Sequence, residues 1–225
     1  MKRILILICV VAAFLAIPFA TKAQDLPLKE WPARVHNKPL IFYLSGDGGF
    51  NKFSTSLCEK LNDHGFDVVA MDCRSYFWTK KTPEQTATDI NNLLERKLAG
   101  RSNQEVVLFG YSFGADVLPF IINRLPSATE QKVLVTFLMA SSGSTDFEIH
   151  MADIFGGNSK RSMDVVSEIN KMDDEKVVII SASDDKTLAV NRITLKRFTR
   201  EVLPGGHHFD GDTDQIVKVV LSDLD

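Results

Sequence analysis

Five short apolar runs recur along the chain, at Leu40–Leu44, Val68–Met71, Val106–Phe109, Val133–Ala140 and Val177–Ile180. They are rich in β-branched residues and nearly continuous rather than alternating, which predicts strands buried on both faces, as in a parallel sheet. Segments with a helical period lie between them. Thr82-Pro83-Glu84-Gln85 combines an N-cap, a proline at the first helical position and a glutamine three residues after the cap. Ala87, Ile90, Leu94 and Leu98 then form one stripe, and Gly100 follows as a stop. Phe53, Leu57 and Leu61 make a similar stripe before Gly65, and Ile216, Val217, Val220, Leu221 and Leu224 mark a final amphipathic helix. Strands alternating with helices predict an α/β architecture, a mainly parallel sheet flanked by helices with right-handed crossovers. The stretch from Ser141 to Asp174 has no clear period; lying between two strands, it is assigned to a small cap and to substrate contacts.

The first residues follow a different rule. Met1-Lys2-Arg3 is a short basic start, Ile4 to Ala20 is almost unbroken apolar sequence, and Thr21-Lys22-Ala23 fits a cleavage site. Residues 1–23 therefore read as a secretory signal peptide, with residues 24–225 as one α/β domain in an exported protein. An uncleaved anchor is the alternative, but the run is at the short edge of a span and Pro18 falls late in it. The whole chain has 26 basic and 29 acidic side chains; removing Lys2, Arg3 and Lys22 with the leader leaves 23 against 29, a formal net charge of −6. That balance argues against nucleic acid as a partner and against lasting attraction to an anionic membrane. Cys58 and Cys73 remain after the leader, as a pair or as two buried thiols.

The chemistry concentrates in Gly110-Tyr111-Ser112-Phe113-Gly114, between the run Val106–Phe109 and a helix-compatible segment from Ala115. In that strand–turn–helix context G-x-S-x-G describes a nucleophile elbow, with Ser112 strained and exposed at the end of a strand. A serine hydroxyl needs a base to take its proton, and the base needs an acid to hold its tautomer. Ser183-Asp184-Asp185 closes a buried strand, with Asp185 the preferred acid and Asp184 the alternative. Leu203-Pro204-Gly205-Gly206-His207-His208-Phe209 is a glycine-rich loop able to bring an imidazole to Ser112; His208, next to the aromatic, is preferred over His207. Ser45-Gly46-Asp47-Gly48-Gly49-Phe50 follows the first apolar run, placing an oxyanion-hole N–H at Asp47 or Gly48, with Phe113 N–H as the second donor. The Asp47 side chain either faces a cationic substrate group or caps the following helix. Asp116 and Tyr111 are further substrate-binding candidates. No cofactor is expected, because Gly46-x-Gly48-Gly49 matches neither a phosphate loop nor a dinucleotide fingerprint. Nor is a metal, since Asp210-x-Asp212-x-Asp214 lacks the rest of a calcium loop and reads as helix-start residues.

Together these residues resemble the bacterial VirJ/AcvB virulence-associated family. The matching pieces are Leu44-Ser45-Gly46-Asp47-Gly48-Gly49, Tyr76-Phe77-Trp78 with Thr82-Pro83-Glu84, Gly110-Tyr111-Ser112-Phe113-Gly114-Ala115-Asp116-Val117-Leu118-Pro119, Asn123-Arg124-Leu125-Pro126, Asp146-Phe147-Glu148-Ile149-His150 and Gly205-Gly206-His207-His208-Phe209-Asp210-Gly211-Asp212. Phe50 stands where the family usually has Trp, and Cys73-Arg74-Ser75 departs from its usual order. The resemblance implies an α/β-hydrolase fold and a periplasmic serine hydrolase. It also implies an ester substrate, with aminoacyl-phosphatidylglycerol head groups hydrolysed by some relatives, and type IV secretion components as partners of others.

Overall fold

The computed structural model describes residues 26–149, 161–172 and 176–224. The predicted leader, His150 and most of the loop that follows it lie outside the described residues. In chain order the elements are β1 (Leu28–Trp31), β2 (Leu40–Leu44), α1 (Lys52–Asp63), β3 (Val68–Met71), α2 (Cys73–Tyr76), α3 (Pro83–Leu98), β4 (Val106–Tyr111), α4 (Phe113–Ile122), α5 (Ser127–Glu130), β5 (Val133–Met139), β6 (Ser144–Thr145), β7 (Met163–Asp164), α6 (Val165–Ile169), β8 (Lys176–Ala182), β9 (Phe198–Leu203) and α7 (Thr213–Leu224).

Seven strands form one sheet in the order β1-β3-β2-β4-β5-β8-β9, with β1 antiparallel to β3 and every other neighbour parallel. All five predicted runs lie in this sheet, and β2, β3 and β4 are buried along their whole length. Alternate residues serve opposite faces: Leu40, Phe42 and Leu44 join the core beneath α3, α4 and α6, while Ile41 and Tyr43 join the one beneath α1 and α7. The helix ends follow local chemistry. Thr82 and Gln85 form a reciprocal capping box at α3 with Pro83 in its first turn. At α1 the cap is Asn51, whose Oδ1 accepts from Ser54 N at 2.9 Å, so Asp47 does not cap that helix.

The described part of the expected cap is largely core. β6 pairs with β7, and Phe147, Ile149, Val165, Val166, Ile169 and Met172 pack into the core that holds α4. Cys58 and Cys73 are both free and buried, one in each core, with the sheet between them.

The strand order reverses between β2 and β4, and ligands in open α/β sheets bind at the carboxyl ends beside such a switch. Here the switch is unusually tight. A Cβ at Gly114, in the first turn of α4, would lie 2.4 Å from Leu44 O and 2.7 Å from Ser45 O; one at Gly110 would lie 2.6 Å from Ala115 Cα. Backbone cannot yield as a flexible side chain does, so Gly114→Ala is expected to cost at least about 2 kcal/mol. Gly48→Ala, with nothing within 4 Å of the added carbon, is the control. Urea unfolding of the two variants checks this; equal midpoints would contradict it.

Candidate active site

β4 ends at Tyr111 and α4 begins at Phe113, leaving Ser112 alone at the corner with φ 51° and ψ −118°. A side chain in that region costs on the order of 1–3 kcal/mol and persists only where its surroundings hold it. Ser112 N donates to Met139 O at 2.8 Å, and Asp116 N to Ser112 O at 3.0 Å. Among the described residues the non-glycine positive φ angles fall at Ser112, Ala140, Phe209 and Asp210, all just after β4, after β5 or in the histidine loop.

The imidazole that reaches Ser112 belongs to His207. Its Nε2 lies 2.8 Å from Ser112 Oγ and its Nδ1 2.6 Å from Asp185 Oδ2. This corrects the expectation of His208, whose Nδ1 instead meets the Tyr111 hydroxyl at 2.5 Å. The reason lies in the loop. Phe209 is fully buried and stacked on Phe53, its N–H closes a turn onto Gly206 O at 2.7 Å, and the two histidines occupy the middle of that turn facing different ways. The aromatic neighbour marks an anchor, and the residue two before it reaches the serine. Gly205, at φ 97°, supports the same loop: a Cβ there would lie 2.7 Å from Asp210 Cγ.

The carboxylate that meets this imidazole belongs to Asp185. Asp184 is exposed and accepts from the Ser183 hydroxyl at 3.0 Å. Burial pushes the Asp185 carboxyl up, but hydrogen bonds from His207 and from Thr187 outweigh it and hold the group below its ordinary range. Thr187 donates to Asp185 Oδ1 from its backbone N at 3.0 Å and its hydroxyl at 2.7 Å, and that hydroxyl also lies 3.3 Å from Ser141 O. No motif announces Thr187; it is a threonine two residues after an acid in a loop.

Asp47 and Gly48 are the central residues of a turn closed by Gly49 N to Gly46 O at 3.0 Å. That turn runs beside Ser112, since a Cβ on Gly46 would lie 3.4 Å from Ser112 Cβ. Phe113 N–H opens α4, where the helix has no acceptor of its own for it. The turn that carries Asp47 and Gly48 thus passes Ser112 on one side, and Phe113 follows it in the chain. Asp47 is partly exposed, and its charge, with that of Asp185, adds to burial in pushing the Tyr111 hydroxyl up.

Tyr111 and Asp116, expected at the substrate, are buried instead. Asp116 accepts from Ser141 Oγ at 2.8 Å, Ser142 N at 2.6 Å and Ser142 Oγ at 2.7 Å, tying α4 to the loop after β5. The polar links close on themselves: Ser112 to His207, Asp185, Thr187, the Ser141–Ser142 loop, Asp116 and back through the first turn of α4. A cavity of about 390 Å³ is lined by Asp185 together with Ala140, Ser181, Thr187, Leu188 and Arg200. Asp212 Oδ1 accepts from the amides of Asp214 and Gln215, starting α7 as expected.

A mainly parallel sheet with a serine elbow after a central strand, and acid and histidine loops after later strands, defines the α/β-hydrolase class. Solved structures share the fold: MenH from S. aureus (TM-score 0.65, 13% identity, covering 88% of this chain and 97% of that one); the α/β hydrolase GrgF from Penicillium sp. sh18 (0.63, 10%, 88% and 98%); and Est1E from Butyrivibrio proteoclasticus (0.61, 13%, 89% and 96%). Residues 39–225 match the family described as bacterial virulence protein (VirJ), and the chain belongs to that family. A search of curated proteins returned no match.

Burial raises the Asp116 carboxyl from 3.8 to about 6, against the opposing hydrogen bonds from Ser142 and Ser141 and the influence of His207. The folded state then binds a proton that the unfolded chain has released between about pH 4 and pH 6, so this group's contribution to stability falls as pH rises through that window. Asp116→Asn should remove that component. Urea midpoints of the wild type and the variant should therefore diverge across the window, the wild type losing more with rising pH; a constant difference would contradict the assignment.

Proposed function

We propose that this protein is a serine hydrolase of ester bonds in which Ser112 is the nucleophile, His207 the general base and Asp185 the partner that orients it. The observation carrying this is the unbroken line from Ser112 Oγ through both nitrogens of His207 to a carboxylate held by Thr187. As the Ser112 oxygen attacks an ester carbonyl, its proton passes to His207 Nε2, and Asp185 stabilises the imidazolium through Nδ1. The developing oxyanion sits among the N–H groups of Phe113 and of the Asp47–Gly48 turn. His207 returns the proton to the departing alcohol; water, activated by the same base, then frees Ser112 from its acyl group.

The substrate reading is an aminoacyl ester of a phospholipid such as phosphatidylglycerol, cleaved in the periplasm after export. It is supported by the VirJ family membership and by Asp47, a partly exposed carboxylate in the turn that passes Ser112, which would attract the cationic aminoacyl group. A secretion-accessory protein on this scaffold, the other class among relatives, would not depend on the serine.

A fluorophosphonate probe should label the purified protein once. Ser112→Ala should abolish labelling and lower turnover about a thousandfold or more, His207→Ala should do nearly as much, and His208→Ala should still label. Labelling that survives Ser112→Ala would remove the nucleophile assignment. With lysyl-phosphatidylglycerol and a neutral short-chain ester compared, Asp47→Asn should lose activity on the cationic substrate alone; equal loss on both would make Asp47 structural.

A further inference from the structure

Residues 74–81 read Arg-Ser-Tyr-Phe-Trp-Thr-Lys-Lys, three basic side chains and no acid, in a protein whose whole-chain charge is negative. They follow β3 at the carboxyl end of the sheet, the edge that also carries Ser112. Two of the three consecutive aromatics are anchors. Tyr76 and Phe77 are buried, the Phe77 ring meets Phe113 edge-on at 5.1 Å, and Phe113 is the residue after the nucleophile. Phe77 O accepts from Ile149 N at 2.9 Å and Lys81 N donates to Phe147 O at 2.9 Å, so the segment is fixed at both ends.

Trp78 stands between these fixed points with 52% of its surface exposed, a large aromatic turned outward from a firm base. Arg74 and Lys80 are exposed beside it and have no ionic partner among the described residues. Arg74 also borders the Gly46–Gly49 turn, its Cβ lying 3.4 Å from where a side chain on Gly49 would begin. Of the nearby acids, Asp72 accepts from Ser75 N and Oγ and Asp89 accepts from the Tyr76 hydroxyl at 2.6 Å, while Glu148, between the two residues that hold the segment, and Asp47, in the neighbouring turn, are partly exposed. Lys81 lies over the Tyr76 ring at 4.9 Å. The result is an outward indole with the unpaired Arg74 and Lys80 close in the chain, on the sheet edge that carries Ser112, with Asp72 and Glu148 on the same edge.

We propose that Trp78, Arg74 and Lys80 form a membrane-interface contact that seats the site-bearing edge on an anionic phospholipid surface. An indole places its apolar body at the head-group level with its N–H in the wet layer, and basic side chains on the same rim are drawn to anionic lipid within a Debye length. The acidic remainder of the molecule is held off by the same surface, so the attraction orients the protein with Ser112 toward the lipid. This deepens the lipid-ester reading and draws its biological sense from it, but the contact can be measured without catalysis.

The mature protein carrying Ser112→Ala, so that no lipid is consumed, is mixed with vesicles of phosphatidylglycerol and phosphatidylcholine in equal parts, or of phosphatidylcholine alone. Co-sedimentation at low salt should favour the anionic vesicles at least tenfold, weaken as salt rises, and carry a blue shift of tryptophan emission. Trp78→Ala should abolish the shift and lower partitioning roughly tenfold. Arg74→Glu with Lys80→Glu should lower it more, each lost basic group accounting for about fivefold. The same changes made with Ser112 intact should keep fluorophosphonate labelling in the absence of vesicles, which certifies the fold. Equal binding to both vesicle types, or unchanged binding in these variants, overturns the proposal. Hydrolysis of lysyl-phosphatidylglycerol in detergent micelles without vesicle binding would sink this contact and leave the esterase reading standing.

Discussion

The start of α4 passes so near the end of β2 that two carbonyl oxygens fill the space a side chain would need at residue 114. This backbone-on-backbone approach sets the rest of the site. It fixes the height at which α4 leaves the sheet, and with it the corner at Ser112. It also brings the Gly46–Gly49 turn alongside that corner, because β2 ends there. A one-carbon change at either glycine of the elbow would move the helix, and Ser112 and the neighbouring amides would lose their common register.

Sterics place the serine, and polar contacts hold the groups around it. His207, Asp185, Thr187, Ser141 and Ser142, from three loops far apart in sequence, and Asp116, from α4, form one closed set of hydrogen bonds. Asp116 is the costly member, a carboxylate buried among serines, and its position is tolerable only because three donors surround it. It joins α4 to the loop after β5, which Thr187 in turn joins to Asp185. The apolar cores on either side make the sheet rigid; this circuit sets the orientation of side chains at its edge.

Much of this could be read from the chain because parallel strands buried on both faces leave continuous apolar runs, and the five central strands did so. β1 and β9 are edge strands with no fully buried residue, so Leu-Lys-Glu-Trp and Phe-Thr-Arg-Glu-Val-Leu gave no such run. The capping box at α3 was legible because its chemistry is local. The choice between His207 and His208 was not, since it depends on how far the loop turns before Phe209 reaches the core. The cap of α1 fell to Asn51 rather than Asp47 because the glycine turn uses up the residues between. Asp116 was noticed for its charge, but whether it faces solvent or serines is decided by the loop after β5. Thr187 carries no signal beyond proximity to an acid.

The sheet between Cys58 and Cys73 has a consequence for how the molecule is made. Burial pushes both thiols well above their ordinary range, so once folded they are inert. Before folding they are two accessible thiols fifteen positions apart on a flexible chain, a separation at which ring closure is easy. A bond between them would join what the native sheet must separate, and no later packing could relieve it. In an oxidising compartment, biogenesis therefore becomes a race: β2, β3 and β4 must assemble and sequester one thiol on each side before an oxidant links them.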